Sequence, residues 1–193
     1  GPTGGGMTVS IVGSGFAAAN LTGAVKFGAS TAGYVINSDT SINATSPANA
    51  AGTYDITVTT PNGTSTTHFG DQYTYVPAPT VTAVASTAGP TVGGDTVILT
   101  GTGFSAAPAT GAVQFGGATA IYIINSNTQI TAIAPANAPG TYNIRVSTPG
   151  GASAPATANM YTYVAAPTVT TVSPASGPSV GGTTVTIIGS GFA

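Results

Sequence analysis

The chain has 193 residues, enough for one or two domains. Only 3% of the residues are charged, against about 25% in an ordinary soluble protein. The two basic side chains, Lys26 and Arg145, cannot neutralise the roughly 6 to 10 phosphates that DNA-binding proteins commonly contact, so nucleic acid is excluded as a partner.

The sequence repeats itself at a constant offset of 88 residues. Gly-Ser-Gly-Phe at 13–16 recurs at 189–192, with Gly-Thr-Gly-Phe between them at 101–104. We therefore divide the chain into three parts: residues 1–77, a repeat without its first strand; 78–164, a complete repeat; and 165–193, the opening strands of a third. We expect the parent protein to be longer.

Short β-rich runs alternate with turn signals along the complete repeat. In chain order, the predicted strands are 80–84, 96–100, 112–115, 118–124, 128–133, 141–147 and 160–164. About seven short strands without helical periodicity predict an all-β fold of tandem immunoglobulin-like antiparallel β-sandwiches.

The glycines before two recurring phenylalanines have a structural explanation. Gly15 and Gly103 precede Phe16 and Phe104, and glycine is the residue that adopts positive φ in tight turns at no steric cost. We expect each to form a turn or bulge that leads to a buried ring. A phosphate-binding loop is disfavoured, because no helix pattern follows.

Residues 167–192 read PTVTTVSPASGPSVGGTTVTIIGSGF. This segment resembles the opening of IPT/TIG domains, and the closing Tyr-Thr-Tyr of the repeats, at 161–163, fits the same family. The resemblance implies immunoglobulin-like modules of the kind found in plexins, some transcription factors and bacterial surface proteins. Such modules serve as spacers, ligand binders or DNA binders, so the resemblance is specific for fold rather than for function.

Catalytic and metal-binding residues are sparse. The single histidine, His68, has Ala156 as its repeat equivalent, so its pairing with Asp71 is better explained as a solvated loop than as part of a catalytic triad. The four aspartates are dispersed and none recurs. We predict no enzyme activity and no cofactor, with a calcium site between domains left open. The chain has no cysteine, which excludes thiolate sites and disulfides.

The tyrosines recur in pairs, as Tyr54 and Tyr142 do, which favours packing in the core or between repeats over a sugar-stacking platform. Three glycosylation acceptor patterns begin at Asn20, Asn43 and Asn62, but such patterns arise easily by chance in a chain rich in Asn and Thr.

One segment of the chain is a spare first strand. The incomplete first repeat should be weak alone. If the chain exists as a discrete molecule, we predict that this segment of one copy completes the first repeat of the next, which would give a filament. In a longer chain, the preceding repeat would supply the same strand and no exchange would be required. Its residues are Pro167, Thr168, Val169, Thr170, Thr171 and Val172.

These observations predict a structural repeat of an extracellular or cell-surface fibre, stalk or sheath. Its expected partners are other copies or adjacent repeats. The alternative is an adhesin or carbohydrate-binding accessory module that contacts a glycan or a surface ligand. No apolar run approaches 18 residues, so no membrane insertion is expected in this segment.

Overall fold

β-branched residues alternate with small polar residues through most of the chain, a pattern suited to half-buried strands. The computed structural model describes residues 1–19, 24–108 and 110–192. Among these residues it contains twenty strands: β1 (Thr8–Val12), β2 (Val25–Phe27), β3 (Ser30–Thr31), β4 (Gly33–Ser38), β5 (Ser41–Thr45), β6 (Gly52–Thr60), β7 (Gly63–Thr64), β8 (Gln72–Tyr75), β9 (Thr80–Ala85), β10 (Ala88–Pro90), β11 (Thr96–Thr102), β12 (Val113–Phe115), β13 (Ala118–Thr119), β14 (Ile121–Ser126), β15 (Gln129–Ile133), β16 (Gly140–Thr148), β17 (Gly151–Ala152), β18 (Met160–Val164), β19 (Thr168–Ser173) and β20 (Thr186–Ser190).

Helical structure in the described ranges is limited to short 3₁₀ turns. These turns are Phe16–Ala18, Phe69–Asp71, Phe104–Ala106 and Thr157–Asn159. No helix in this part of the chain is long and apolar enough to cross a membrane. The prediction of an all-β chain is confirmed.

Strands β9 to β18 form the second sandwich. One sheet has the order β14-β15-β11-β9, with all pairs antiparallel. The other has the order β10-β18-β16-β12-β13, with β17 also on β16. The inward side chains of the two sheets form one core that includes Val97, Leu99, Phe104, Ile130 and Ile144.

Strands β1 to β8 form the first sandwich, which repeats this arrangement without strands equivalent to β9 and β10. The sheet equivalent to β14-β15-β11-β9 has the order β4-β5-β1. The other sheet contains β3, β2 and β6, with β7 and β8 also paired to β6. A separate core built on Phe16, Val25, Phe27 and Ile42 fills the space between the sheets.

The predicted strand 118–124 is wrong as a single element. It is divided at Ala120 into β13, which pairs with β12, and β14, which pairs with β15 in the opposite sheet. Strand β10 was also not predicted. It arises because the chain crosses between sheets near Ser86, whose φ of 64° is the only positive value outside glycine in the described residues.

The third part of the chain is a two-stranded antiparallel hairpin of β19 and β20. Every residue described from 165 to 192 is exposed. An isolated hairpin of two strands is only marginally stable in water. The hairpin therefore contains only two strands of the fold, whereas the first sandwich contains eight and the second contains ten.

Candidate functional site

The outer edge of β1 has no partner strand among the described residues, because the positions equivalent to β9, at an offset of 88 residues, precede Gly1. In the second sandwich, the equivalent strand β11 is covered by β9, with Leu99 opposite Val84 and Thr102 opposite Thr80. Among the described residues, β1 pairs only with β5. An unpaired edge presents a row of backbone N–H and C=O groups that can accept another strand.

A groove lies beside this edge, where β9 would pack. Its volume is about 460 Å³, and its apolar lining includes Val9, Ile11, Phe16, Ile56 and Val58. We call it the acceptor groove. The repeat equivalents of Val9 and Ile11, Val97 and Leu99, are fully buried, whereas Val9 and Ile11 are only partly buried. The equivalent apolar side chains are therefore fully buried in the second sandwich and partly exposed in the first.

The backbone of β11 needs glycine where β9 crosses it. A Cβ atom on Gly101 would lie 1.8 Å from the carbonyl oxygen of Thr80, and one on Gly103 would lie 3.3 Å from the Cα of Pro79. Gly13 and Gly15 hold the equivalent positions beside the acceptor groove. A Cβ on Gly15 would meet nothing within 4 Å, which is the space that a proline would fill.

The C-terminal hairpin carries a strand of the kind that the groove lacks. Residues 167–173, the donor strand, match residues 79–85 at every position except Thr171 and Ser173, which replace alanines. Its two apolar side chains, Val169 and Val172, are 59% and 46% exposed. Their equivalents, Val81 and Val84, pack into the core of the second sandwich.

The residues predicted to shape the turns behave as expected. Gly15 and Gly103 have φ values of 75° and 76° and precede the 3₁₀ turns that begin at Phe16 and Phe104. The two rings are 6% and 0% exposed, so the prediction of buried rings is confirmed. The sequence analysis did not identify Val9, Ile11 and Ser14 as groove residues. Their offset of 88 residues from positions of β11 could have indicated that they lie on the strand next to the groove.

Each aspartate is used in local structure. Asp39 accepts hydrogen bonds from the N–H groups of Gly15 and Ala17 at 3.3 and 3.1 Å. In the described residues, no three His, Cys, Asp or Glu side chains come together as a metal site. The other three aspartates also accept hydrogen bonds. Asp55 accepts from Gln72 Nε2 at 3.2 Å, Asp71 from His68 N at 2.9 Å, and Asp95 from Tyr161 Oη at 3.1 Å.

His68 and Asp71 form a structural cap. The Nδ1 atom of His68 accepts a hydrogen bond from Gly70 N at 3.0 Å, and the His68 side chain is 70% exposed. Its Nδ1 atom lies 3.8 Å from Asp71 Oδ2. Because the imidazole and the carboxylate both bind backbone N–H groups, this pair holds the 3₁₀ turn that begins at Phe69 and lies at one wall of the groove.

Asp95 is one of the groups that raise the pKa values of tyrosines in the second core. Burial, the hydrogen bond to Asp95 and the negative charge of that carboxylate together raise the pKa of Tyr161 to about 12. Gly89 is required here, because a Cβ at that position would lie 1.9 Å from Asp95 Oδ2 and 2.1 Å from the tyrosine hydroxyl. The pKa of Tyr163 is also raised, first by burial and then by the charge of Asp95.

The recurring tyrosines lie in or against the two cores, as predicted. In the second sandwich, Tyr161 and Tyr163 pack edge to face at 4.9 Å between ring centroids, and Tyr161 contacts Phe115 at 5.2 Å. The first sandwich repeats this cluster with Tyr73, Tyr75 and Phe27. The aromatic residues common to both repeats are therefore engaged in packing.

Of the three glycosylation patterns, two begin at asparagines that are exposed, Asn43 and Asn62. The pattern that begins at Asn20 lies outside the described residues. Lys26 and Arg145 are both exposed and occupy the same strand pair of the two sandwiches, opposite Thr57 and Gln114.

Two solved structures illustrate what this chain is similar to. In a search of solved structures, the extracellular region of plexin A4 matches with a TM-score of 0.51 and 19% identity, over 90% of this chain and 15% of that chain. SGBP-B of Bacteroides ovatus, solved with a mixed-linkage heptasaccharide, matches with a TM-score of 0.36 and 19% identity, over 85% of this chain and 43% of that chain. This chain therefore spans less than half the length of either protein. No curated protein matches the sequence.

The family model of the IPT/TIG domain matches the sequence three times, at residues 1–75, 79–163 and 167–193. IPT/TIG domains are non-catalytic immunoglobulin-like modules. The repeated sandwich and these three matches together establish that the chain belongs to the IPT/TIG domain family.

Proposed function

We propose that the chain is a structural repeat module of an extracellular or cell-surface fibre, stalk or sheath. The units follow one another at a fixed offset of 88 residues, without insertions that would build a separate binding loop. Each of the two sandwiches has its own core. Such an arrangement extends a chain by simple addition of units.

The observation that carries this proposal is the use of the recurring aromatic residues. Tyr75, Tyr161 and Tyr163 are buried, and their rings contact phenylalanine or one another. Ligand pockets are lined by hydrophobic and aromatic side chains, and aromatic residues that fill a core are not available for such a lining. Here they supply the two cores.

Labelling of the native source cells tests the proposal. Antibodies raised against the 193-residue chain, followed by gold labelling and electron microscopy, should mark fibres, stalks or a sheath outside the cell. Averaged images should show a regular axial spacing set by the 88-residue unit. Label confined to the cell interior, or label outside the cell with no ordered structure, would contradict the proposal.

The alternative is an adhesin or carbohydrate-binding accessory module, and one observation favours it. The ring of Phe69 is 93% exposed beside the acceptor groove, and its repeat equivalent is Thr157. An exposed aromatic face can stack on a sugar ring. Binding on a glycan array that is lost in Phe69→Ala, but kept in the matched surface change Val92→Ala, would support the alternative over the structural role.

A further inference from the structure

We propose that the turn at residues 149–150, between β16 and β17, clamps the linker that joins the two sandwiches and so fixes the direction in which one repeat follows the other. The linker comprises residues 76–79, Val-Pro-Ala-Pro, and we call the turn the joint turn. The inference rests on the proposed structural role. Relative motion is the default for domains joined in one chain, so a stiff fibre or stalk needs a device that suppresses it.

The sequence of the linker makes it extended but does not fix its path. The φ angles of Pro77 and Pro79 are restricted by their rings, and the residues before them, Val76 and Ala78, are held away from the helical conformation. A proline-rich segment of this kind acts as a semi-rigid spacer. Its direction relative to each sandwich depends on the contacts at its two ends.

Both ends of the linker belong to a sandwich. Tyr75, which precedes it, is buried in the first core, and Val76 forms a parallel bridge with Pro2. The N–H of Val76 also donates to the carbonyl of Gly1 at 2.8 Å. Strands β10 and β18 repeat this parallel pairing in the second sandwich. At the other end, Pro79 is buried, so only the middle of the linker could act as a hinge.

The joint turn covers the middle of the linker. A Cβ atom on Gly150 would overlap the carbonyl oxygen of Pro77 and would lie 2.6 Å from that of Val76. The next residue continues the contact, because a Cβ on Gly151 would lie 3.6 Å from the Cβ of Ala78. Gly150 is buried. The linker can therefore follow this path only where residue 150 has no side chain.

The first sandwich shows that the turn itself does not need this glycine. Asn62 is the equivalent of Gly150, and β6 pairs with β7 in the same register as β16 with β17. The N–H of Asn62 donates to Thr60 Oγ1 at 3.2 Å, as that of Gly150 donates to Thr148 Oγ1 at 3.1 Å. Gly150 also lies outside the left-handed region, so its backbone suits any residue. The glycine is required by the linker rather than by the turn.

Distances between spin labels test the joint in the 193-residue chain, which has no cysteine of its own. Thr31→Cys and Thr119→Cys place one label at an exposed, equivalent position of each sandwich. Double electron–electron resonance on the doubly labelled chain should give one narrow distance distribution. With Gly150→Asn added, the distribution should broaden by about twofold or more, because the displaced linker becomes a spacer held only at its ends.

Gly117→Asn is the matched control. Gly117 lies in the same sandwich and is exposed, and a Cβ atom there would meet nothing within 4 Å. Its φ is not positive, so the same side chain enters without strain. This variant should leave the distance distribution unchanged.

Pro77→Ala separates the clamp from the stiffness of proline. Alanine keeps the carbonyl group that packs on Gly150 but frees φ at this position. The distribution should therefore stay narrow in Pro77→Ala, and it should be broadest when Pro77→Ala and Gly150→Asn are combined.

Denaturant unfolding shows whether Gly150→Asn keeps its fold. The second sandwich should retain its unfolding transition, because the first sandwich builds the same turn with Asn62. A second sandwich that failed to fold would mean that the turn itself needs the glycine.

That failure would overturn the inference, and so would three other results: a broad distribution in the labelled chain without further change, an unchanged distribution in Gly150→Asn, and a broad distribution in Pro77→Ala alone. A broad distribution in a chain whose antibody still marks extracellular fibres would reject the clamp and leave the structural role standing. A narrow distribution that Gly150→Asn broadens, without any ordered structure outside the cell, would do the reverse.

Discussion

Asp71 and Asn159 occupy equivalent positions in the two sandwiches, but only the asparagine satisfies its buried atoms. Asn159 accepts from the N–H of Ala156 at 3.0 Å and donates its Nδ2 to the carbonyl of Ala154 at 2.9 Å. Asp71 accepts from His68 N at 2.9 Å, while its Oδ1 is buried without a hydrogen-bond partner. A carboxylate cannot make the donation that the amide makes.

Asp71→Asn should therefore stabilise the first sandwich by about 1 kcal/mol, the usual net value of one hydrogen bond. The new amide would donate to the carbonyl of Thr66, the equivalent of Ala154. The reverse change, Asn159→Asp, should destabilise the second sandwich by about 1–3 kcal/mol. Hydrogen exchange followed by mass spectrometry assigns each effect to its sandwich, and equal effects of the two changes would contradict this interpretation.

Tyr161 makes the second sandwich sensitive to alkaline pH. Its pKa in the folded protein is about 12, above the ordinary value of 10.0, so the unfolded chain loses the proton first. Stability is complete below about pH 10 and falls as the pH rises toward about 12, by roughly 2 to 3 kcal/mol. Asp95→Asn keeps a hydrogen-bond acceptor and removes the charge, so it should lower this pKa and shrink the alkaline loss. Tyrosinate absorbance measures the first effect and denaturant unfolding the second. An unchanged pKa would mean that the charge of Asp95 does not contribute to it.

At the scale of the strand, nearly identical sequences in β9 and β19 contribute differently to stability. Val81→Ala in β9 removes a side chain from a filled core and should destabilise the second sandwich by about 2 kcal/mol. Val169→Ala in β19 changes an exposed side chain and should leave both sandwiches unchanged when the chain is monomeric. Denaturant unfolding at low protein concentration compares the two. A loss of stability in Val169→Ala would show that the hairpin packs on a sandwich.

Much of this strand arrangement could be predicted from the sequence, because it depends on local patterns. Turn glycines before Phe16 and Phe104 and the alternation in β16 mark their elements directly. The division at Ala120 could not be predicted, since apolar residues on both sides of it continue the β pattern while the chain changes sheets. The acceptor groove depends on pairing between strands far apart in the sequence. Only the 88-residue offset could have indicated where it lies.

At the scale of the whole molecule, the two sandwiches should unfold separately. The first sandwich lacks the strand that closes the second, and its groove leaves Val9 and Ile11 partly exposed. Denaturant should therefore unfold the first sandwich before the second. A synthetic peptide of residues 167–173 should raise the first transition only, since a ligand stabilises the state that binds it. A scrambled peptide is the control, and a shift in the second transition would argue against the groove.

Each sandwich fills its own core with its own aromatic cluster in the described residues. A substitution that loosens one core therefore leaves the side chains of the other core in place. Such independence confines damage to a single unit, so successive repeats could vary in sequence without unfolding their neighbours.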